Sequence, residues 1–105
     1  MLIPNSVANI GSNAFNSTSL TSVKIPNNLK NIGNGAFYGC KVLTSIEISN
    51  SVTNIGNNAF SFCESLTTIS YTGTTAQWNA ITKEQNWHYN VPAIVVHCTD
   101  GDAPI

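Results

Sequence analysis

An eleven-residue phrase, "KNIGNGAFYGC" (Lys30 to Cys40), returns as "TNIGNNAFSFC" (Thr53 to Cys63) and, without its cysteine, as "ANIGSNAFNST" (Ala8 to Thr18). Ile10, Ile32 and Ile55 are separated by 22 and 23 residues, as are Phe15, Phe37 and Phe60, whereas Leu20, Leu43 and Leu66 are separated by 23 each time. The first copy is therefore one residue shorter between its Phe and its Leu, in a segment where a loop can absorb the change. A unit of this size cannot bury its own apolar face, so the copies must stack into a solenoid. Repetition also settles the glycines. A phosphate cradle needs a strand, a tight Gly loop and a helix opening with Lys-Ser/Thr, which are missing here, so the glycines turn a coil.

Within each unit, "LTSVKI" (Leu20 to Ile25), "LTSIEI" (Leu43 to Ile48) and "LTTISY" (Leu66 to Tyr71) have the form L-x-x-L-x-L, the strand segment of a leucine-rich repeat. Alternation along a strand sends Val23/Ile25, Ile46/Ile48 and Ile69/Tyr71 inward. It leaves Ser22, Ser45 and Thr68 in one outward row of a parallel sheet and Lys24, Glu47 and Ser70 in another. The return path "IPNNLKNIGNGAF" supplies Pro and Asn for turning, Leu29 and Ile32 for the core, and Gly33, expected at a position of positive φ. Phe37 is expected to close the far wall.

A chain of 105 residues allows one domain, and a globule of that size buries only about two-thirds of its unfolded surface. Charged residues make up 9% of the chain, the formal net charge is -1, and all four cations are lysines. Without arginine forks or a basic stripe the composition argues against a nucleic-acid partner. Asn, Ser and Thr carry the polarity instead, which favours turns and side-chain-to-backbone hydrogen bonds. Apolar runs such as Ala93 to Val96 are far too short to span a bilayer. No charged segment followed by an apolar one forms a signal peptide, so an exported protein is expected only if this is a part of a longer chain.

Residues 1–70 are expected to form three leucine-rich-repeat coils, the first truncated because "MLIP" fills only the second half of a strand. The edge around Leu2 and Ile3 is then open, a candidate contact for homo-oligomerisation. Residues 71–105 are expected to form an irregular terminal coil and cap. Thr74 or Thr75 can cap a short helix holding Ala76, Trp78, Ala80 and Ile81, and "VPAIVV" returns to the strand template with Val91, Ile94 and Val96 each 25 residues after Leu66, Ile69 and Tyr71. Trp78 and Trp87 would seal the core's end.

The unit "LTSVKIPNNLKNIGNGAFYGC" resembles the treponemal-type leucine-rich repeat of BspA-like surface proteins, L-x-x-L-x-L-P-x-S-V-x-x-I-G-x-x-A-F-x-x-C, with Asn28 at the Ser position. The resemblance extends from Ile3 to Tyr71, about two-thirds of the chain. It implies a leucine-rich-repeat solenoid in an exported, non-enzymatic cell-surface protein that binds host proteins or other cells. Arrays in the similar family often end in a Trp-containing segment, which is consistent with the cap.

Three candidate sites compete with structural readings. Cys40 and Cys63 share one phase of the repeat and should stack roughly 5 Å apart, which permits a disulfide; the alternative is a pair of buried free thiols filling a repeated slot, favoured by the burial habit of cysteine. With Cys98 the thiol count is odd and no C-x-x-C pair exists, which argues against zinc. "HCTDGD" (His97 to Asp102) gathers an imidazole, a thiol and two carboxylates, but neighbouring strand residues face opposite ways and Asp100-Gly101 is a common turn pair. In "NWHYN", Trp87 and Tyr89 either stack on sugars and anchor a partner or cover the end of the core, and burial of large apolar residues favours the latter. "NST" at Asn16 to Thr18 has the form of a glycosylation acceptor, a pattern that chance supplies in so Asn-rich a chain. The reading that follows is a non-catalytic binding or adhesion module without metal or cofactor. Its protein partner would meet the face of Ser22, Lys24, Ser45, Glu47, Thr68 and Ser70, with Trp87 and Tyr89 as further aromatic contacts. The alternative is a purely structural terminal portion of a longer array.

Overall fold

The structure, a computed structural model, describes residues 3–105. It is a solenoid in which each coil contributes one strand to each of two parallel sheets. The expected sheet is built from β2 (Ser22–Lys24), β4 (Ser45–Ile48), β6 (Thr68–Tyr71) and β8 (Val95–Cys98), joined in that order. Its register places Ser22 beside Ser45 and Thr68, Val23 beside Ile46 and Ile69, and Lys24 beside Glu47 and Ser70. Val23, Ile25, Ile46, Ile48, Ile69 and Tyr71 point inward and are buried, as alternation requires.

The second sheet, formed by β1 (Asn9–Ile10), β3 (Asn31–Ile32), β5 (Asn54–Ile55) and β7 (Thr82–Lys83), was not anticipated in the return path. Each of its first three strands is an Asn-Ile pair with the isoleucine buried and the asparagine turned outward. Two residues are enough because the ladder continues into the turns that follow. Asn13, Phe15 and Ser17 donate their N–H groups to the carbonyls of Asn34, Ala36 and Tyr38, and Gly35, Phe37 and Gly39 donate in the same way to Asn57, Ala59 and Ser61. Three walls of every coil are thus bonded to the next coil, which satisfies backbone polar groups that a buried loop would leave unpaired.

Gly33 has a different role from the one expected. The positive φ values fall elsewhere, at Asn13, Gly35, Asn58 and Asn86 in one series and at Ser17, Gly39, Phe62 and Asn90 four residues later. Asn and Gly are the residues that tolerate the left-handed region, so the first series is filled as chemistry dictates. Gly33 instead lets stacked backbones approach: a Cβ there would lie 2.6 Å from the Ile10 carbonyl oxygen and 2.7 Å from the Gly11 carbonyl carbon.

Between the walls runs the core. Phe15, Phe37 and Phe60 stack with ring centroids 5.3 and 5.2 Å apart and planes within 11° and 2° of parallel. Phe37 and Phe60 are fully buried, whereas Phe15, at the first coil, is half-buried. The hydroxyl of Ser51, where the repeat has Ser, donates to the Leu29 carbonyl of the preceding coil at 2.7 Å, so a half-buried hydroxyl is satisfied across the stack.

The C-terminal end is closed as expected in kind and differently in register. Helix α1 (Thr75–Ala80) begins at Thr74, whose hydroxyl accepts from the Gln77 N–H while the Gln77 side chain accepts from the Thr74 N–H, a capping box. Asp100 reinforces that end by accepting from the Thr75 N–H at 2.8 Å. At the other end of the helix, the Lys83 ammonium donates to the Trp78 and Ile81 carbonyls and lies 4.7 Å from the centre of the Trp78 ring. Trp78 and Trp87 are buried 5.6 Å apart edge to face. The fourth strand, however, pairs Ile69 with Val96 and Ser70 with His97, so the offset is 27 residues and not 25. Ile94 consequently precedes the strand and is 78% exposed instead of filling the core. An antiparallel strand, β9 (Gly101–Pro104), then covers the edge of β8, joined through Thr99 and Asp100. The tight turn is therefore Thr99-Asp100 and not Asp100-Gly101. Residues Met1 and Leu2, and with them the expected contact around Leu2, lie outside the described residues; Ile3 is buried.

Candidate functional site

The outward rows of the larger sheet are where the sequence placed them. Lys24 and Glu47 face each other with Nζ and Oε2 3.7 Å apart, both with considerable exposure, so their attraction is worth at most about 1 kcal/mol and orients the pair more than it stabilises the fold. Ser22 and Thr68 are exposed and Ser45 and Ser70 half-buried, around a shallow depression of about 290 Å³ that reaches from Ser22 and Lys24 across Ser45 and Glu47 to Ser70. Two residues of "HCTDGD", which the sequence reading did not place on this face, extend this row. His97 lies beside Ser70, and Asp102 lies opposite His97 on β9 with Oδ1 2.8 Å from Nδ1. The row therefore reads Lys24, Glu47, Ser70, His97, Asp102 across all five strands. Shifted by two residues, the fourth strand could not reveal it.

The "HCTDGD" groups do not converge. His97 engages Asp102 on the outer face, Asp100 caps the helix, and Cys98 is half-buried on the opposite face with its thiol turned toward the Val96 carbonyl. Burial, and then the charges of Asp100 and Asp102, push the Cys98 thiol up, away from the thiolate a nucleophile requires. Among the described residues no three His, Cys, Asp or Glu side chains are grouped to hold a metal.

Cys40 and Cys63 are free and fully buried. Each thiol donates to the carbonyl of the phenylalanine one coil earlier, Cys40 to Phe15 and Cys63 to Phe37, both at 3.1 Å. The repeated slot thus carries a repeated hydrogen bond. The neighbouring Cys40 thiol, together with burial, pushes the Cys63 thiol up.

The two aromatic candidates separate. Trp87 is buried against Phe60 and Trp78, whereas Tyr89 is 54% exposed. Tyr89 does not join the sheet face. It lies on the wall of stacked turns, against Phe62, which in turn meets Tyr38.

No helix among the described residues is long and apolar enough to cross a membrane. Comparison with curated proteins finds no match. Comparison with solved structures likewise finds none. The family described as "BspA type Leucine rich repeat region (6 copies)" matches residues 1–88, which takes in every coil up to the turn that holds Trp87. Repeat length, inward ladder, stacked glycines and this match agree: the chain belongs to the BspA-type leucine-rich-repeat family.

Proposed function

We propose that the chain is a non-catalytic protein-binding module of an exported or cell-surface protein, and that it meets its partner with the outer face of β2, β4, β6, β8 and β9. The observation that carries this reading is the unbroken register of outward side chains, in which small hydroxyls alternate with the row of Lys24, Glu47, Ser70, His97 and Asp102. Backbone groups on this face are already paired within the sheet, so recognition falls to side chains, and charges of both signs at fixed spacing give orientation and specificity more than affinity. Size limits strength. Five strands about 4.8 Å apart and about 13 Å long present roughly 300 Å², well below the roughly 800 Å² per partner of a standard stable interface. The face supports transient binding, tightened when further coils or copies engage together.

The test is binding to immobilised extracellular-matrix proteins, with a Lys24→Glu/Glu47→Lys double reversal that keeps the ion pair and inverts its direction. Loss of binding with unchanged stability supports the reading; unchanged binding removes the sheet face from it. A second reading, a structural array terminus, draws on the antiparallel β9 and helix α1, which close one end of the stack.

A further inference from the structure

The wall of stacked turns carries an aromatic array distinct from the core ladder. Tyr38, Phe62 and Tyr89 come from three successive coils, with centroids 5.3 and 5.5 Å apart and planes crossing at 63° and 74°. The core phenylalanines lie face to face and cover one another, whereas each contact of an edge-to-face run covers the face of one ring of the pair and not of the other. Tyr38 and Phe62 are half-buried and Tyr89 is exposed. Phe62 is also strained. It has φ 61°, at the position where the preceding coil has Gly39 at φ 69°. A bulky side chain in the left-handed region is an outlier that glycine would relieve, and such strain persists where a side chain is needed at that spot.

Two troughs flank Tyr38. One, of about 570 Å³, runs between Ser17 and Thr18 on one side and Phe62 on the other, with Lys41 and Glu64 as its charged residues. The other, of about 310 Å³, is lined largely by asparagines. Their amide oxygens are held: that of Asn13 accepts from the Asn16 amide, that of Asn34 from the Asn57 N–H, and that of Asn58 from the Ser61 hydroxyl. This fixes each amide's orientation and leaves three Nδ2 groups without a protein acceptor among the described residues.

We propose that this wall is a binding site for a neutral oligosaccharide. A sugar ring offers an apolar C–H face, whose partial positive charge suits the face of an aromatic ring, and a rim of hydroxyls that accept from oriented amide N–H groups. The single Lys41 and Glu64 balance, and no guanidinium is present to hold an anionic ligand. An apolar peptide laid across the troughs would bury the three amide groups unpaired, at a cost that sugar hydroxyls avoid. The site shares no residue with the sheet face and stands apart from the protein-binding reading.

The test is a chemical-shift titration of the intact chain with neutral hexasaccharides (a β-linked glucan, an α-linked glucan and a mannan fragment), a sulfated hexasaccharide and a proline-rich dodecapeptide. At millimolar concentration at least one neutral sugar should shift the rings of Tyr38, Phe62 and Tyr89 and the side-chain amides of Asn13, Asn34 and Asn58. Phe62→Gly, which restores the residue of the preceding coil and should fold normally, and Tyr38→Ala should each weaken that binding by about tenfold, while the Lys24/Glu47 reversal leaves it unchanged. Absence of shifts with every neutral sugar, equal affinity in Phe62→Gly and Tyr38→Ala, or shifts with the peptide or the sulfated sugar alone would overturn the proposal.

Discussion

Replacing Phe37 by alanine removes the central ring of the core ladder. The ring is fully buried and stacks on Phe15 and Phe60 at 5.3 and 5.2 Å. Both neighbours are pinned by backbone bonds to other coils, Phe15 N–H to the Ala36 carbonyl and Phe60 N–H to the Trp87 carbonyl, so the walls cannot close on the void. A Phe→Ala change in a core costs about 3–5 kcal/mol, more when the site cannot collapse, which places this one near 4–5 kcal/mol. A chain of this length is stable by only about 5–15 kcal/mol in all. Urea unfolding reads the effect directly. With a slope of about 2 kcal/mol/M the midpoint should fall by about 2 M. Phe15→Ala is the internal control, since Phe15 is half-buried with a ring neighbour on one side and should lose about half as much. A midpoint shift below about 0.5 M for Phe37→Ala, or a larger loss at Phe15, would refute the stacked-core argument.

Gly33→Ala forces a Cβ to within 2.6 Å of a backbone oxygen and should destabilise by about 1–3 kcal/mol, whereas Gly11→Ala, whose Cβ meets nothing within 4 Å, should change stability by less than about 0.5 kcal/mol; calorimetry of the two variants separates them. The thiols of Cys40 and Cys63 should label slowly in the native protein, and all three cysteines should titrate after denaturation without reductant; a single reactive thiol would establish a disulfide instead. Because the folded Cys63 thiol is raised above its ordinary value of 9.0, the unfolded chain gives up that proton first, so this thiol's contribution to stability is intact below pH 9.0 and is lost as pH rises beyond it. Denaturant midpoints across that range should fall less steeply in Cys63→Ala, and identical slopes would show that the thiol is not shielded.

The larger sheet was legible because strands of three or four residues alternate, and alternation fixes which side chains face out. Asn-Ile pairs are too short to show a period, so the second sheet left no pattern to read, and only its repetition across coils marked it. The register of the fourth strand escaped for a related reason: Val96 faces inward whether it pairs with Tyr71 or with Ile69, two residues earlier, so alternation at that residue could not tell the two registers apart. That error hid His97 and Asp102 from the outward row. The ring series Tyr38, Phe62 and Tyr89 was hidden differently. Tyr38 follows its coil's core phenylalanine by one residue and Phe62 by two, so no aligned column contains both. The signal available was Phe62 in the column of Gly39, a bulky residue where the turn calls for glycine.

Every coil is bonded to the next along three walls in constant register, and this makes the molecule a gauge with discrete divisions. Inserting one whole copy, such as residues 31–53, would leave both sheets, the phenylalanine stack and the terminal hairpin undisturbed. It would lengthen the stack by a single division of about 4.8 Å. Fractional divisions are forbidden, because a partial insertion would break three ladders together, except in the segment between Phe15 and Leu20, where the first coil already tolerates one residue fewer. Copy number, and not any change of side chain, would then set the reach between the outward rows and the sealed end.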